Sequence, residues 1–299
     1  MNRLHSMTVF VAVAETGSFA AASRRLGMSP AAVTRAVAAL EERLGVKLFN
    51  RTTRLVRATE AGQRYLEDAR RIIGEVNDAD EAAAGIHAAP RGHLAITAPV
   101  LFGSMFVLPV IVDYLRRYPA MAVSARLVDR VVHLLEEGLD VGIRIGALPD
   151  SIMKALKVGR VRRVLCASPG YLKKHGTPDK LAALSAHAII AASGISPTNE
   201  WKFRQGDKAL AVRVKPRLTV NSNDAAIEAA RQGFGITRLL SYQIAHHVVA
   251  GRLKIILSDF EPAPLPIHVL HRDGRQASAK IRAFVDLIAD KLRNDRALK

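Results

Sequence analysis

Glycines divide the first 45 residues into three segments, each with room for no more than one short helix. The dividing residues are Gly17, Gly27 and Gly45. Within each segment, apolar residues recur at helical spacing. A serine stands directly before the second and third segments, where its hydroxyl can cap a helix, and Pro30 occupies a first helical position, where its missing N–H costs nothing. The sequence therefore predicts three short helices, over 4–16, 19–26 and 30–44.

The second and third predicted helices, joined across Gly27, have the pattern of a helix-turn-helix over about 19–38. In that motif the second helix enters the DNA major groove with its N-terminal end leading. That end is slim and free of acids, and its candidate DNA contacts are Ser29, Pro30, Ala31, Thr34 and Arg35. Thr34 can donate or accept a hydrogen bond, Arg35 can form a bidentate contact with guanine, and the N–H groups near Ser29 favour a phosphate. The alternative is a helical hairpin buried in an ordinary core.

Arginine recurs at every third residue soon after the third helix, at Arg51, Arg54 and Arg57, with no acid between them. This spacing favours a short β-wing beside the recognition helix. We expect Arg51, Thr53 and Arg54 to meet DNA phosphates or the minor groove. A solvated turn is the alternative.

The charge of the chain supports a polyanionic partner. The net charge is +17, and residues 1–58 carry nine Lys and Arg against three Asp and Glu, a net of +6. Double-stranded DNA is the commonest partner of such a basic region. Solubility alone is the competing explanation.

A longer run of residues resembles a known family. The run TGSFAAASRRLGMSPAAVTRAVAALEERLGVKLFNRTTR, followed by TEAG, is similar to the winged helix-turn-helix of LysR-type transcriptional regulators. The rest of the chain matches that family in length and in the order of its parts. The resemblance implies a DNA-binding domain over 1–59, a linker helix over 60–89 and an effector-binding domain over 90–299.

The predicted linker helix carries a long apolar stripe that a lone helix would expose. Its members are Tyr65, Leu66, Ala69, Ile72, Ile73, Val76, Ala79 and Ala83. Pairing with a second copy would cover the stripe and form a homodimer, as the resemblance also implies. The leading hypothesis adds that two dimers assemble into a tetramer on DNA. The alternative is that the helix folds back on its own chain.

From His93 onward, strand and helix patterns alternate. HLAIT, VSARLV and DVGIRIG are typical of strands, and VVHLLEEG of a helix. Such alternation predicts an α/β fold with a largely parallel sheet. The resemblance implies two lobes in a periplasmic-binding-protein-like arrangement, with lobe one over 90–163 and 267–299 and lobe two over 164–266.

Ligands of such folds lie where strand C-termini and helix N-termini face the cleft. The candidate effector-binding residues are Pro99, Val100, Leu101, Arg144, Gly146, Ser193, Asn223, Thr237 and Arg238, with Ser196 and Asn221 nearby. Arg144 and Arg238 interrupt apolar runs, which favours an anionic effector. The alternatives are a pairing of Arg144 with Asp140, a helix-capping role for Asn223, and general surface charge.

Other classes of function find little support. No run is apolar and long enough to cross a membrane, and the N-terminus lacks a signal-peptide pattern, so we expect a cytoplasmic protein. No catalytic motif or metal-ligand spacing is present, so we expect no enzyme activity, cofactor or metal. Cys166 lies in an apolar strand and suits a core. Two further hypotheses stay open: a small-molecule binding protein with a non-specific or architectural DNA-binding head, and an enzyme fused to such a head.

Overall fold

The computed structural model describes residues 2–51, 56–83, 89–134, 136–148, 154–192, 199–271 and 278–299. The chain forms two compact units, Met1–His93 and Leu94–Lys299. The predicted α/β class, with an N-terminal winged helix-turn-helix and a two-lobed C-terminal domain, is confirmed.

The first unit is a small helical domain with a two-stranded wing. Its elements are α1 (Arg3–Thr16), α2 (Phe19–Leu26), α3 (Pro30–Leu44), β1 (Phe49–Arg51), β2 (Val56–Ala58) and α4 (Glu60–Ala83). The Oγ of Ser18 accepts a hydrogen bond from the N–H of Ala21 at 3.3 Å, and the Oγ of Ser29 accepts one from Ala32 at 3.2 Å. Gly27 ends α2 at a φ of 63°, a conformation that most side chains avoid. The three predicted helices are therefore present. Each ends at a glycine, and serines cap α2 and α3 while Asn2 caps α1.

The core of this unit forms around Phe10, which is fully buried. Its ring centroid lies 5.1 Å from that of Phe49 and 5.4 Å from that of Tyr65. Val33 and Val37 bury the inner face of α3 against the same cluster. Helix, wing and the start of α4 thus share one core, which leaves the outer face of α3 to solvent.

A buried glutamate fixes the entry to the wing. Glu41 of α3 is 3% exposed, and its Oε1 accepts hydrogen bonds from the N–H groups of Leu48 at 2.9 Å and Phe49 at 3.2 Å. The Nζ of Lys47 lies 3.1 Å from Oε2. Two backbone donors that would otherwise lack partners are satisfied by one carboxylate, so the chain leaves α3 in a fixed direction.

The TEAG motif joins the wing to α4. The Oγ1 of Thr59 donates to the carbonyl of Lys47 at 2.8 Å and accepts from the N–H of Gly62 at 2.9 Å. Gly62 packs so closely on the backbone carbonyl of Leu48 that any side chain there would overlap it. The first turn of α4 is thereby attached to the segment that leaves α3.

The second unit contains two five-stranded sheets, each covered by helices. Its strands are β3 (Gly92–Ala98), β4 (Met121–Leu127), β5 (Val141–Ile145), β6 (Lys154–Val161), β7 (Arg163–Ala167), β8 (Ile189–Ala192), β9 (Glu200–Gln205), β10 (Lys208–Arg213), β11 (Pro216–Val220), β12 (Ile236–Leu240), β13 (Lys254–Ile256) and β14 (Leu265–His271). Its helices are α5 (Val100–Phe102), α6 (Leu108–Arg117), α7 (Pro169–His175), α8 (Asn223–Arg231), α9 (Ser241–Val249) and α10 (Ala279–Asn294), and a π-helical turn over Gly103–Val107 joins α5 to α6.

The first sheet has the strand order β4-β3-β5-β14-β6, and the second has the order β11-β8-β12-β7-β13. β5 is parallel to β3, and β8 is parallel to both β11 and β12. The strands on the other side of each sheet, β14 and β6 in one and β7 and β13 in the other, pair antiparallel. The prediction of a largely parallel sheet is wrong for these halves, because β14 and β7, the strands that follow the two connections between the sheets, run opposite to their neighbours on both sides.

The predicted helix over 131–138 is also wrong. The described residues there form turns that end at Gly138, with a φ of 65°. Val132 and Leu134 are buried with Leu139 and Leu270. Leu134 packs where Gly142 has no side chain, with an ideal Cβ only 2.8 Å from its Cδ2. Packing against the sheet determines the path of this segment, and its helix-like spacing does not.

Within the described ranges, no helix combines the length and the apolar composition needed to cross a membrane. No cluster of His, Cys, Asp and Glu among these residues has the arrangement of a metal site.

Candidate DNA-binding face and ligand cleft

The N-terminal half of α3 presents a continuous exposed face. Its exposed members are Ser29, Pro30, Ala31, Thr34, Arg35 and Ala38. They recur at three- and four-residue intervals, so they lie on one side of the helix. The Oγ1 of Thr34 donates to the carbonyl of Pro30 at 2.9 Å, which leaves its oxygen free to accept. Arg35 forms no ion pair with any described residue. The face is narrow, acid-free and suited to approach a nucleic acid groove.

Part of the predicted wing contact lies outside the described residues. Thr53 and Arg54 fall there, and Arg51 is described only as the last residue of β1. β1 and β2 pair antiparallel, with Asn50 opposite Arg57. The side chain of Arg57 is exposed. The wing thus presents at least one arginine beside α3.

The apolar stripe of α4 divides into two parts. Tyr65, Leu66, Ile72 and Ile73 pack against the core of the first unit. Val76 is half-buried and Ala79 is exposed, and neither belongs to that core. The alternative of folding back on its own chain therefore holds for the first part of the stripe, while the second part stays available to a partner.

In the second unit a carboxylate links the two lobes. Asp129 follows β4 of the first sheet, and its Oδ1 accepts a hydrogen bond from the N–H of Val100 at 3.0 Å. Its Oδ2 lies 3.5 Å from the Nδ2 of Asn223, the first residue of α8 beside the second sheet. Pro99 offers no side-chain cap, so Asp129 caps the helical segment from a distance. This explains why a helix begins at Val100.

Two buried polar atoms in lobe two lack a hydrogen-bond partner among the described residues. Asn223 is 4% exposed and Thr237 is fully buried, yet Oδ1 of the first and Oγ1 of the second are unpartnered among the described residues. The cap of α8 is Ser222, whose Oγ accepts from the N–H of Ala225 at 3.4 Å. Capping therefore does not explain Asn223. Unpaired buried polar atoms are costly, and a ligand is one way to satisfy them.

Leu101 contacts the apolar clusters of both lobes. It therefore lies at the junction, as does Val100.

Gly146 has a φ of 117°, and its N–H donates to the carbonyl of Pro266 at 2.9 Å. Ser193 and Ser196 lie outside the described residues, and Asn221 is exposed.

A row of basic side chains crosses the first sheet. Arg144 of β5 lies opposite His268 of β14, which lies opposite Lys157 of β6. The Nη1 of Arg144 donates to the carbonyl of Ile143 at 2.9 Å, while its Nη2 and the Nδ1 of His268 are buried without a partner among the described residues. Thr97, on the neighbouring strand, has the same deficit at Oγ1.

Burial lowers the pKa of the Arg144 guanidinium, with the nearby Glu137 acting in the opposite direction. Burial also lowers the pKa of His268, helped by Lys157 and opposed by a hydrogen bond to the backbone of Gly146. In both groups burial disfavours the charged form, so His268 is neutral at pH 7 and Arg144 carries the buried positive charge. Asp140, the alternative partner of Arg144, accepts from the N–H of Ala95 at 2.8 Å.

Arg238 and Thr237 are consecutive in β12 and therefore lie on opposite faces of the second sheet. Arg238 lies over the ring of Trp201, 5.0 Å from its centroid. Burial lowers its pKa to about 9, and the nearby Arg163 adds to the effect. The structure thus brings Val100 and Asn223 together through Asp129, whereas Arg238 lies on the opposite face of β12 from Thr237.

Asp129 was not among the residues predicted from the sequence. It comes directly after the strand VSARLV, and the rule that ligands lie at strand C-termini could have found it. Thr97 and His268 were also missed, because their role depends on which strands are neighbours in the sheet.

Comparison with known proteins identifies both units. Residues 4–63 match the family model described as "Bacterial regulatory helix-turn-helix protein, lysR family", and residues 87–293 match "LysR substrate binding domain". Together these matches cover most of the chain.

Individual relatives match over nearly the whole length. The chain is 32% identical to the HTH-type transcriptional activator AaeR of Escherichia coli, over 97% of this chain and 94% of that protein. It is 30% identical to the HTH-type transcriptional regulator CrgA of Neisseria meningitidis, over 97% of each. The solved structure of CrgA has a TM-score of 0.63 with 29% identity, covering 98% of this chain and 100% of that chain.

These relatives are regulators, in agreement with the expectation that the chain is not an enzyme. The chain belongs to the LysR-type family of transcriptional regulators, proteins that bind DNA through a helix-turn-helix and carry a separate effector-binding domain.

Proposed function

We propose that the exposed face of α3 reads the operator, with Thr34 and Arg35 contacting base edges and Ser29, Pro30 and Ala31 near the backbone. The observation that carries this proposal is that α3 has an exposed face without acidic residues, while its opposite face packs in the core of the first unit. The wing contacts DNA phosphates through Arg57, together with Arg51, Thr53 and Arg54. The chain acts in the cytoplasm, where the DNA is.

Two chains pair through the second part of the α4 stripe, around Val76 and Ala79. An exposed apolar stripe on a helix is stabilised by a partner helix, and a symmetric pair supplies one. Two such dimers form a tetramer on a long operator.

The effector binds between the lobes and contacts Val100, Leu101, Asn223 and Thr237, around the point where Asp129 joins Val100 to Asn223. Pro99 and Gly146 shape the edge of this cleft, and Ser193 is a further candidate for effector contact. The unpartnered atoms of Asn223 and Thr237 support a ligand with both a donor and an acceptor. Arg238 contributes from the opposite face of β12, by holding Trp201.

The effector is an anion whose carboxylate meets Arg144. The support is a buried guanidinium with an unpartnered Nη2, beside His268 and Thr97 in the same state. A buried cation is strongly stabilised by an anion within hydrogen-bond distance.

Footprinting on the DNA flanking the protein's own gene tests the DNA-binding proposal. A short protected site that Arg35→Ala weakens supports it. Uniform coating of all DNA would favour the alternative of an architectural head. For the effector, a thermal-shift screen of organic acids on the full chain should yield a stabilising compound. If the compound still stabilises both the Arg144→Gln and the Thr237→Val variants, the proposed effector site is wrong.

A further inference from the structure

A groove lies where the two lobes join, on segments that the proposed effector cleft does not use. Both connections between the sheets line it. Arg160 and Val161 end β6, Arg162 connects β6 to β7, and Pro264 comes from the return to β14. The remaining walls are α9, β13 and the C-terminal turn Arg296–Leu298.

The groove is a built feature of the fold. The N–H of Ser241 donates to the carbonyl of Arg162 at 2.9 Å, and the N–H of Arg162 donates to the Oγ of Ser241 at 3.2 Å. Leu298 is 1% exposed within the core of lobe one. Its carbonyl lies 2.7 Å from an ideal Cβ on Gly159, so the C-terminal turn packs directly on β6. The two ends of the groove are therefore attached to different lobes.

The charge at the groove is almost entirely positive. Its cationic lining residues are Arg160, Arg162, Arg296 and Lys299. Arg162 forms an ion pair with Glu261, at 3.0 Å from Nη1 to Oε2. The other three form no ion pair with any described residue. Like charges held together without acids repel one another, and a bound anion would relieve that repulsion.

The wall between these cations is apolar. Ala245, Val248, Ile255 and Pro264 line it, and each of them is half-buried or exposed. The groove has a volume of about 540 Å³, within the range of about 300–1,000 Å³ that small-molecule sites occupy. An apolar wall with a cationic edge matches a molecule with an apolar body and an acidic end.

We propose that this groove is a second small-molecule site, which takes a small carboxylate with an aromatic or aliphatic body. Arg160 and Arg296 bind the carboxylate, and Val248 and Ile255 contact the apolar body. Neither Asn223 nor Thr237 lines the groove, so the groove is a separate site from the proposed effector cleft.

The groove is packed against the helical segment that starts at Val100. A ligand held by Arg160 and Arg296 touches the connection between the lobes and the C-terminal turn at once. Tyr242, another lining residue, packs its ring 5.3 Å from Phe102 and 5.7 Å from Phe106, on the helical segment that starts at Val100. The groove and the helical segment that starts at Val100 therefore share one group of packed aromatic rings.

The test uses the full chain, with benzoate and octanoate as probes and inorganic phosphate as a control for charge alone. Titration calorimetry measures the Kd of each. The groove variant is Arg160→Gln/Arg296→Gln, and the control that removes two charges elsewhere is Lys208→Gln/Lys215→Gln, both exposed on lobe two. Ala245→Trp fills the groove without changing charge. Asn223→Ala/Thr237→Val reports on the cleft.

The expected result is that benzoate or octanoate binds more tightly than phosphate, and that the groove variant weakens this binding about tenfold or more. Ala245→Trp should abolish it, while the lysine control and the cleft variant retain the original Kd. The proposal is overturned if no probe binds with a Kd below about 1 mM, if the groove variants leave the Kd unchanged, or if only the cleft variant loses binding. Circular dichroism of each variant confirms that it is folded.

Discussion

The Oδ2 of Asp129 lies 3.5 Å from the Nδ2 of Asn223, so one carboxylate connects the end of a strand in lobe one to the start of a helix in lobe two. The same carboxylate accepts from the N–H of Val100. Asp129 thus occupies the point at which the two lobes and two helix N-termini converge.

Replacement of Asp129 by alanine should lower the free energy of unfolding by about 1–3 kcal/mol, because it leaves two donors without their charged acceptor. Urea denaturation measures the change. Asp286→Ala, an exposed acid on α10, is the matched control and should have little effect. Equal stability of both variants would contradict the linking role of Asp129.

Arg35→Ala should cost about 1–3 kcal/mol of operator affinity and relax the preference at one base pair. Arg43, exposed at the far end of the same helix, provides the control. Competition binding against operators with single substitutions measures both affinity and preference. If Arg43→Ala relaxes specificity and Arg35→Ala does not, the wrong end of α3 has been assigned to the groove.

Val76→Glu should dissociate the proposed dimer, because pairing would bury an uncompensated charge. Val76 is a sharper probe than Ile73, whose side chain also packs in the core of its own head. Light scattering should report a smaller mass, and operator affinity should fall with it. Glu67→Ala, nine positions away and thus on the opposite face of α4, should keep the original mass. An unchanged mass for Val76→Glu would show that the chains associate elsewhere.

The ion cluster at Glu41 should make the DNA-binding head sensitive to acid. Burial raises the pKa of Glu41, but the hydrogen bonds from Leu48, Lys47 and Phe49 outweigh it, and the net pKa is lowered. A carboxyl with a lowered folded-state pKa contributes its full stability above its ordinary value of about 4.5, and the contribution disappears as the pH falls through the folded-state value.

The free energy of unfolding of the wild type should therefore exceed that of Glu41→Gln at pH 6–7, and the gap should narrow as the pH falls below about 4.5. Denaturation curves across this range measure it. A gap that is independent of pH would mean that the charge of Glu41 contributes nothing.

The helices of the DNA-binding head could be predicted because their signals are local. Ser18 and Ser29 cap them, glycines end them, and Pro30 suits its position, so the pattern and the structure agree over 19–26. The exposed face of α3 follows from the same periodicity. The function of Glu41 could not be predicted in this way, because its partners at 48 and 49 become partners only when the wing turns back.

The sheets of the second unit were harder to predict. β14 enters the first sheet between β5 and β6 after more than a hundred intervening residues, and no local pattern encodes that choice. The row of Arg144, His268 and Lys157 exists only because of it. The segment over 131–138 has helical spacing, yet burial of Val132 and Leu134 on the sheet overrides that preference.

The attachment of α4 to the head has a geometric consequence. Glu41 fixes the wing to α3, and the contact of Gly62 with Leu48 fixes α4 to the same segment, so the head and α4 turn as one lever. A helix of 24 residues is about 36 Å long. A tilt of about 10° at its far end therefore moves the reading face by about 6 Å, close to two base-pair steps of about 3.4 Å. In a pair of chains joined through α4, a small change of crossing angle is enough to move two reading faces out of register with their half-sites.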